Sequence, residues 1–232
     1  MKLRNPIFVA LDLDDPSYAI EVAQELKEIV GGFKVGPRLV MRGGSIFVQK
    51  LSQLGSVFVD MKHFDIPSTM SAALNASFDD GASFVTVHAL SGRESLMECV
   101  SLENHLSQQR PFRVLAVTVL TSWSESSYPP SFKNLNLQNH VTELARFTLS
   151  LGLKGLVCSA HELGSVSREH FKVVPGIRLS EDSKDDQHRV LDPVSAVKAG
   201  AQMLVVGRPI LNAPNIKAKA QQFVELAKTF TA

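Results

Sequence analysis

The segment VFVDMKHFDIPSTMSAALNASFDDGASFVTVH, residues 57–88, contains the pattern on which the fold depends. Two runs rich in β-branched and aromatic residues, Val57–Met61 and Phe84–His88, are predicted to form strands. The amphipathic stretch Pro67–Asp79 between them is predicted to form a helix, because proline is favoured at the first helical position. Strands joined through a helix run parallel, so this unit predicts a parallel sheet covered by helices.

The same strand–helix pattern extends along the chain of 232 residues. Further strands are predicted at Ile7–Leu11, Gly32–Val35, Arg113–Val119, Gly155–Cys158, Lys172–Val174 and Met203–Val206. Further helices are predicted at Pro16–Val30, Ser45–Leu54, Gly92–Gln108, Asn139–Leu151, Ala160–Ser167, Pro193–Ala199 and Asn215–Thr229. Eight such units without a linker predict an α/β fold with a single domain, a (β/α)8 TIM barrel over residues 1–232. An open doubly wound sheet is the alternative architecture.

Composition excludes several classes of protein. Hydrophobic residues make up 44% of the chain, which is ordinary for a globular domain and too high for a disordered one. The 24 basic and 23 acidic residues nearly cancel, so no global field favours nucleic acid or an anionic membrane. The N-terminal apolar run is too short for a membrane span and lacks a signal-peptide cleavage site. The balanced charge and the short apolar run thus predict neither a nucleic-acid nor a membrane partner. Cys99 and Cys158 are typical of small core residues in a reducing compartment, so we expect a cytoplasmic protein.

Charged residues end several of the apolar strands. Asp12 follows the first strand and Lys34 lies in the second. Asp60 and Lys62 are two residues apart on the third strand, so they are predicted to point to the same side as Phe58. One such pair is typical of a structural salt bridge at the rim. Several opposite charges that converge at the barrel mouth favour a functional site, because each buried ion costs free energy unless it is well paired.

Two glycine–arginine turns follow the last two predicted strands. Gly176 and Arg178 end strand seven, and Gly207 and Arg208 end strand eight. Backbone N–H groups exposed by glycine, together with arginine, form the usual phosphate site of a barrel at this position. The polar segment between the two turns is predicted to close on the phosphate through Gln187.

Other polar residues carry less information. His88 ends the fourth strand, where a polar residue satisfied by its neighbours is favoured over a general base. The loop that contains Trp123 has hydroxyl groups at Thr121, Ser122 and Ser124 that suit a polar ring. The seven histidines and two cysteines show no metal-ligand spacing, and no phosphate loop or dinucleotide fingerprint is present. The sequence therefore predicts neither a metal nor a cofactor.

Taken in order, these motifs resemble the orotidine 5′-phosphate decarboxylase family. The matching strings are VALDLDDPSYA, FKVG, DMKHFDIPST, TVHA, VTVLTS, GLVCSA, VPGIR, DDQHRV and VVGRPI, from about residue 7 to residue 212. The resemblance implies a cofactor-free and metal-free (β/α)8-barrel homodimer. It also implies a carboxy-lyase that converts orotidine 5′-monophosphate to UMP and CO2, the last step of de novo pyrimidine biosynthesis.

The resemblance also implies roles for individual residues. The catalytic residues would be an alternating ring of Lys34, Asp60, Lys62 and Asp65, with Lys62 as the proton donor. Asp65 is expected to enter from the other subunit, with Ile66 and Thr69 beside it. The substrate-binding residues would be Asp12 and Lys34 for the ribose, Asp60 near the substrate carboxylate, Thr121 with Ser122 or Ser124 for the nucleotide, and Arg178, Gln187, Gly207 and Arg208 for the phosphate.

The chain departs from the family pattern at a few positions. Pro37-Arg38 after FKVG is unfamiliar, and Leu179 stands where a proline often follows the Gly-Ile-Arg string. The serine that contacts the pyrimidine stays open between Ser122 and Ser124. These departures leave the charged ring itself unchanged.

Two other functions compete with the decarboxylase. A group of sugar-phosphate decarboxylases and hexulose-phosphate synthases shares the Asp-x-Lys-x-x-Asp motif but binds Mg²⁺ through an acidic residue where this chain has Lys34. An ammonium group cannot bind Mg²⁺, which prefers oxygen ligands, so Lys34 disfavours that group. A catalytically silent phosphate-binding barrel is the other alternative. Opposing charges kept in a cavity have no purpose in a scaffold, which disfavours it.

Overall fold

Eight strands pair in parallel and close into a barrel, with the last strand pairing back to the first. They are β1 (Ile7–Ala10), β2 (Gly32–Val35), β3 (Ser56–His63), β4 (Ala82–His88), β5 (Arg113–Val117), β6 (Gly155–Val157), β7 (Phe171–Val174) and β8 (Met203–Val206). This computed structural model describes residues 3–123, 128–132, 136–182 and 191–228. The predicted (β/α)8 barrel is confirmed. The open doubly wound sheet is wrong, because every strand here has a neighbour on both sides.

Helices follow most strands and surround the barrel. In the described ranges they are α1 (Pro16–Leu26), α2 (Pro37–Ser52), α3 (Pro67–Asp79), α4 (Gly92–Leu106), α5 (Leu137–Ser150), α6 (Pro193–Lys198), α7 (Arg208–Leu211) and α8 (Ile216–Lys228). Local sequence explains several starts. The Asp15 side chain caps α1 by accepting the Ser17 N–H, and Asn136 caps α5 by accepting the Asn139 N–H.

The start of α2 was predicted too late. The helix begins at Pro37 instead of Ser45, because proline suits the first turn of a helix. Gly44 interrupts the helix with a φ of 59°, a left-handed conformation that glycine adopts without steric cost. This break separates the two halves of the helix and explains why the sequence pattern indicated only the second half.

The helix predicted at Ala160–Ser167 is also wrong. Only the 3₁₀ turn Ala160–Glu162 forms there. The Glu162 carboxylate accepts the Ser159 N–H at 2.7 Å and so closes a single capped turn. Gly164 then follows directly, and glycine disfavours continuation of a helix. The short helix α7 after β8 was not predicted.

Aromatic residues fill the inside of the barrel. Phe8 and Phe171 pack against Phe84 with ring centroids 5.6 and 5.9 Å away, and Phe58 joins the same cluster. The alternate residues of β3, Val57 and Val59, pack outward in the separate core between strands and helices. The predicted alternation along β3 is therefore confirmed. It places the next inward residue beyond Phe58, which is Asp60, at the mouth of the barrel.

Both cysteines are packing residues in this fold. Cys99 and Cys158 are buried free thiols. Burial raises the pKa of each thiol to about 12, so both are protonated and unreactive at neutral pH. Across the described part of the chain, the helices are too short or too polar to cross a membrane.

Candidate active site

A cavity of about 510 Å³ opens at the carboxyl ends of the strands. Barrel enzymes place their active sites at this face. The predicted site residues that line it are Asp12, Lys34, Asp60, Lys62, Thr121, Ser122, Arg178, Gly207 and Arg208. The structure therefore brings residues from the first, second, third, fifth, seventh and eighth strand ends to one cavity.

The Asp60 carboxylate is the centre of a cluster of charges. The Nζ atom of Lys62 lies 2.8 Å from Asp60 Oδ1 and 2.9 Å from Oδ2. The Nζ atom of Lys34 lies 3.1 Å from Asp60 Oδ2 and 3.7 Å from Asp12 Oδ1. Both lysines thus bind the same carboxylate from different strands. Asp12, Lys34, Asp60 and Lys62 alternate in sign, so their charges balance.

Thr86 on β4 completes the cluster and was not among the residues predicted from the sequence. Its hydroxyl donates to Asp60 Oδ1 at 2.9 Å and accepts the backbone N–H of Lys62 at 2.9 Å. The residue is fully buried. A buried threonine in an apolar strand resembles any core residue in sequence. The only feature of the sequence that could have indicated its role is its position two residues after Phe84 on β4, the strand next to β3, where an inward-pointing hydroxyl lies near the mouth of the barrel.

The backbone of Lys62 is unusual. Its φ of 49° makes it the only non-glycine residue with positive φ in the described ranges. The register between β3 and β4 shifts between Val59 and His63, so the Lys62 N–H is available to the Thr86 hydroxyl. A lysine in the left-handed region costs about 1–2 kcal/mol. Such strain is typical of functional sites, and here it directs the ammonium group to Asp60.

Electrostatics favour the charged forms of the buried groups. Burial of Asp60 opposes its charge, but the adjacent Lys34 and Lys62 outweigh this effect and lower the pKa of the carboxyl below 3.8. Burial of Lys34 likewise opposes its charge, but Asp60 and Asp12 outweigh it and raise the pKa of the amine above 10.5. Asp60 and Lys34 are therefore both ionised near neutral pH, and their ion pair is in place before a substrate arrives.

The two predicted arginines lie on the opposite part of the cavity wall from β3. Arg178 is almost completely buried, and its Nη1 donates to the Ile177 carbonyl at 3.0 Å. Gly176 precedes it with a φ of 76°, a conformation that favours glycine. Arg208 is the first residue of α7, directly after Gly207. Two guanidinium groups beside a glycine turn can bind a dianion through parallel N–H donors.

The three residues expected to cross between subunits do not line this cavity. Asp65, Ile66 and Thr69 lie at the exposed junction between β3 and α3. The Asp65 carboxylate accepts the N–H of Ile66 at 2.8 Å. Ile66 is 63% exposed and its neighbour Phe64 is 62% exposed, which is unusual for large apolar residues. In a single chain, the predicted ring of Lys34, Asp60, Lys62 and Asp65 lacks its last member.

Two further predicted residues, Ser124 and Gln187, lie outside the described residues. His88 lies at the rim, where its ring stacks on Phe64 at 5.7 Å and its Nδ1 accepts the Leu90 N–H at 3.3 Å. Burial lowers its pKa, so it is neutral at pH 7. The preferred interpretation of His88 as a satisfied rim residue agrees with these contacts.

The donor set does not suit a divalent cation. A magnesium ion requires several oxygen ligands, and both oxygens of Asp60 are within 3.1 Å of a lysine ammonium. The two cations repel a third. The described residues contain no group of three histidine, cysteine, aspartate or glutamate side chains with the geometry of a metal site.

Comparison with known proteins identifies the family. The family model described as "Orotidine 5′-phosphate decarboxylase / HUMPS family" matches residues 5–223. The orotidine 5′-phosphate decarboxylase of Carboxydothermus hydrogenoformans is 39% identical, over 94% of this chain and 94% of that protein. The one from Chromobacterium violaceum is 40% identical, over 90% of this chain and 86% of that protein. The crystal structure of orotidine 5′-phosphate decarboxylase from Lactobacillus acidophilus superimposes with a TM-score of 0.81 and 28% identity, over 96% of this chain and 99% of that one. The chain belongs to the orotidine 5′-phosphate decarboxylase / HUMPS family.

Proposed function

We propose that this chain catalyses the cofactor-independent decarboxylation of orotidine 5′-monophosphate to UMP and CO2, the last step of de novo UMP biosynthesis. The observation that carries the proposal is the Asp60 carboxylate held between the ammonium groups of Lys34 and Lys62, at 3.1 and 2.8 Å, inside a cavity that two arginines also line. Relatives of 39% and 40% identity named orotidine 5′-phosphate decarboxylase support the same activity.

The reaction explains why such a cluster is needed. Loss of CO2 from C6 of the pyrimidine leaves an electron pair in an sp² orbital, which the ring cannot delocalise. The protein must then stabilise the negative charge electrostatically. The Lys62 ammonium attracts the developing carbanion and donates a proton to C6, so the C–C electron pair becomes the new C–H bond. Asp60 and Thr86 orient Lys62 before the reaction, so little reorganisation is required.

The residues that bind the phosphate contribute to catalysis although they lie far from C6 of the pyrimidine. Arg178, Gly207 and Arg208 bind the phosphate, while Asp12 and Lys34 bind the ribose hydroxyls. Binding energy from the phosphate, far from C6, aligns the pyrimidine over Lys62 and serves the transition state. Hydroxyls in the loop after β5, at Thr121 and either Ser122 or Ser124, contact the pyrimidine in this proposal.

The competing functions are disfavoured. Mg²⁺-dependent sugar-phosphate chemistry needs oxygen donors where Lys34 binds Asp60. A silent scaffold would not keep Lys62 in a left-handed backbone conformation. Turnover of orotidine 5′-monophosphate in EDTA-treated buffer, followed by the change in ultraviolet absorbance, separates all three. Turnover supports the proposal, and its absence in correctly folded protein overturns it.

The proposal includes a homodimer in which Asp65, Ile66 and Thr69 complete the partner's active site. The exposed Phe64 and Ile66 next to Asp65 support an interface at this junction, since burial of both side chains would stabilise a dimer. A cytoplasmic location is also included, because the two cysteines are free thiols.

Subunit exchange tests the shared site. Lys62→Ala and Asp65→Ala homodimers are each expected to be nearly inactive, because every site lacks one charge. In a mixed dimer, one site receives both intact residues and the other receives neither. Random exchange of equal amounts makes half of the dimers mixed, so about one quarter of all sites regain activity. No recovery, with mixed dimers verified by mass, would show that Asp65 serves its own subunit and would leave the decarboxylase proposal intact.

A further inference from the structure

A second cluster of charges lies next to the phosphate end of the site, outside the cavity that the substrate would occupy. The Nζ atom of Lys219 on α8 lies 2.9 Å from Asp182 Oδ1 and 3.1 Å from Glu181 Oε1. Lys219 and Asp182 are mostly buried, with side chains 15% and 9% exposed. We call Lys219, Asp182 and Glu181 the Lys219 clamp. It connects the C-terminal helix to the turn that follows β7.

The clamp holds the backbone next to Arg178. The second oxygen of Asp182, Oδ2, accepts the Leu179 N–H at 2.8 Å, and the Asp182 N–H donates to the Leu179 carbonyl at 3.1 Å. On the other side, the N–H of Arg178 itself donates to the Leu191 carbonyl at 3.1 Å. The Asp182 carboxylate thus binds Lys219 with one oxygen and the residue after Arg178 with the other. A shift of Lys219 would be transmitted through one side chain to the Arg178 backbone.

The clamp also lies beside the other arginine. A cavity of about 310 Å³ is lined by Glu181, Asp182, Lys219 and Arg208, among others. Arg208 also lines the larger active-site cavity, whereas the three clamp residues do not. Arg208 therefore separates the clamp from the substrate cavity. The clamp thus adjoins Arg208 through this cavity and is connected to Arg178 through the backbone of Leu179.

The strength of the clamp follows from its environment. Partial burial of Lys219 opposes its charge, but the hydrogen bonds with Asp182 and Glu181 outweigh this and raise the pKa of its ammonium group above 10.5. Gln222, one helical turn along α8, donates to Glu181 Oε1 at 3.3 Å. The Lys219–Asp182 pair is little exposed and is therefore stronger than an ordinary surface pair, whereas the Glu181 side chain is 55% exposed and contributes less.

We propose that Lys219 is a positioning residue for phosphate recognition: acting through Asp182, it fixes the turn that carries Arg178 and the wall beside Arg208. The inference rests on the proposed function and extends it, because it places part of the specificity for a phosphorylated substrate in the C-terminal helix. Lys219 does not contact the substrate.

The test compares a nucleotide with its phosphate-free nucleoside. For Lys219→Gln, we expect kcat/KM for orotidine 5′-monophosphate to fall about tenfold, as for loss of a charge-assisted hydrogen bond. For orotidine, which has no phosphate, we expect a change of less than about twofold, since no phosphate contact is made. Lys217→Gln is the matched control. Lys217 lies on the same helix but its exposed ammonium is 3.9 Å from Glu25, so both substrates should react as with the wild type.

A second variant separates positioning from simple charge effects. Asp182→Asn removes a negative charge near the phosphate end, so long-range attraction alone would improve phosphate binding. Positioning requires a loss instead, in the same direction as Lys219→Gln. Lys219→Arg keeps a cation that can reach both carboxylates and should recover most of the lost activity. Asp182→Asn also tests the proposal if Lys219→Gln does not fold.

Binding of UMP and uridine, measured by calorimetry, decides the inference independently of turnover. Weaker binding of UMP with unchanged binding of uridine, in both Lys219→Gln and Asp182→Asn, supports it. Equal losses for both ligands indicate a general structural role and overturn it, as does a wild-type result for both variants. Failure of the wild-type protein to decarboxylate orotidine 5′-monophosphate overturns the proposed function instead, while the difference between UMP and uridine still decides the role of Lys219.

Discussion

Replacement of Thr86 by valine tests how the charged cluster is held. Valine has nearly the same shape but no hydroxyl, so two hydrogen bonds are lost, each of 2.9 Å, to the Asp60 carboxylate and from the Lys62 N–H. A hydrogen bond to a charged group contributes about 1.5–3 kcal/mol, and a buried N–H left without an acceptor costs about 1–3 kcal/mol. The buried methyl groups of valine offset part of this loss. We expect the free energy of unfolding to fall by about 2–4 kcal/mol.

The same change should lower activity more than binding. Without the hydroxyl, the left-handed Lys62 backbone loses its partner and the ammonium is less well oriented. We expect kcat for orotidine 5′-monophosphate to fall by about 10- to 100-fold, equivalent to about 1.4–2.7 kcal/mol. Binding of UMP should change by less than about threefold, because Thr86 does not line the cavity. Thr86→Ser keeps the hydroxyl and is the matched control. Urea unfolding and steady-state kinetics that are both unchanged in Thr86→Val would refute the role of this hydroxyl.

Three further changes address other parts of the chain. Arg208→Ala should lower kcat/KM for orotidine 5′-monophosphate, and added phosphite or guanidinium should partly restore it. Turnover of orotidine, which has no phosphate, should be unchanged. An equal loss on both substrates would contradict a phosphate role for Arg208. Arg110 donates to the carbonyls of Phe78 and Ala82 and stacks on the Phe78 ring at 3.8 Å. Arg110→Ala should therefore lower the free energy of unfolding by about 2 kcal/mol and the melting temperature by about 4–8 °C, without changing kcat. An unchanged melting temperature would contradict this role. The pKa of Asp60 is below 3.8 in the folded state, so its charge stabilises the protein above pH 3.8 and this contribution is lost as the pH falls through the lowered pKa. The stability of the wild type relative to Asp60→Asn, measured by urea unfolding, should therefore decrease at acidic pH, and an increase there would contradict the assigned direction.

The sequence predicts the barrel well because each strand is a short apolar run that ends in polar or glycine residues. Gly32–Val35 and Met203–Val206 were predicted with their observed bounds. The bounds of the helices were predicted less accurately than those of the strands. The break at Gly44 hid half of α2, and a single capped turn replaced the helix expected after Ala160. Each of these differences depends on a single residue, and one residue changes the periodic pattern of apolar positions too little to be recognised in the sequence.

The candidate site was predicted where its residues are charged and was missed where they are neutral. Asp60 and Lys62 stand out because charged residues are rare within otherwise apolar strands. Thr86 does not, because a threonine is common in any strand. The left-handed backbone of Lys62 depends on the register shift between β3 and β4, which no local pattern contains. The Lys219 clamp joins residues 37 positions apart through tertiary packing, so it became visible only in the structure.

The kcat of Lys62→Ala for orotidine 5′-monophosphate tests the central claim most directly. In this account, the ammonium that Asp60 and Thr86 hold in place both stabilises the carbanion and protonates it. Its removal should lower kcat about a thousandfold or more, the scale of a lost general acid with additional electrostatic stabilisation. Binding of UMP and the circular dichroism spectrum should remain close to those of the wild type. A kcat within about tenfold of the wild type, a change in barrier of only ~1.4 kcal/mol, would contradict the account.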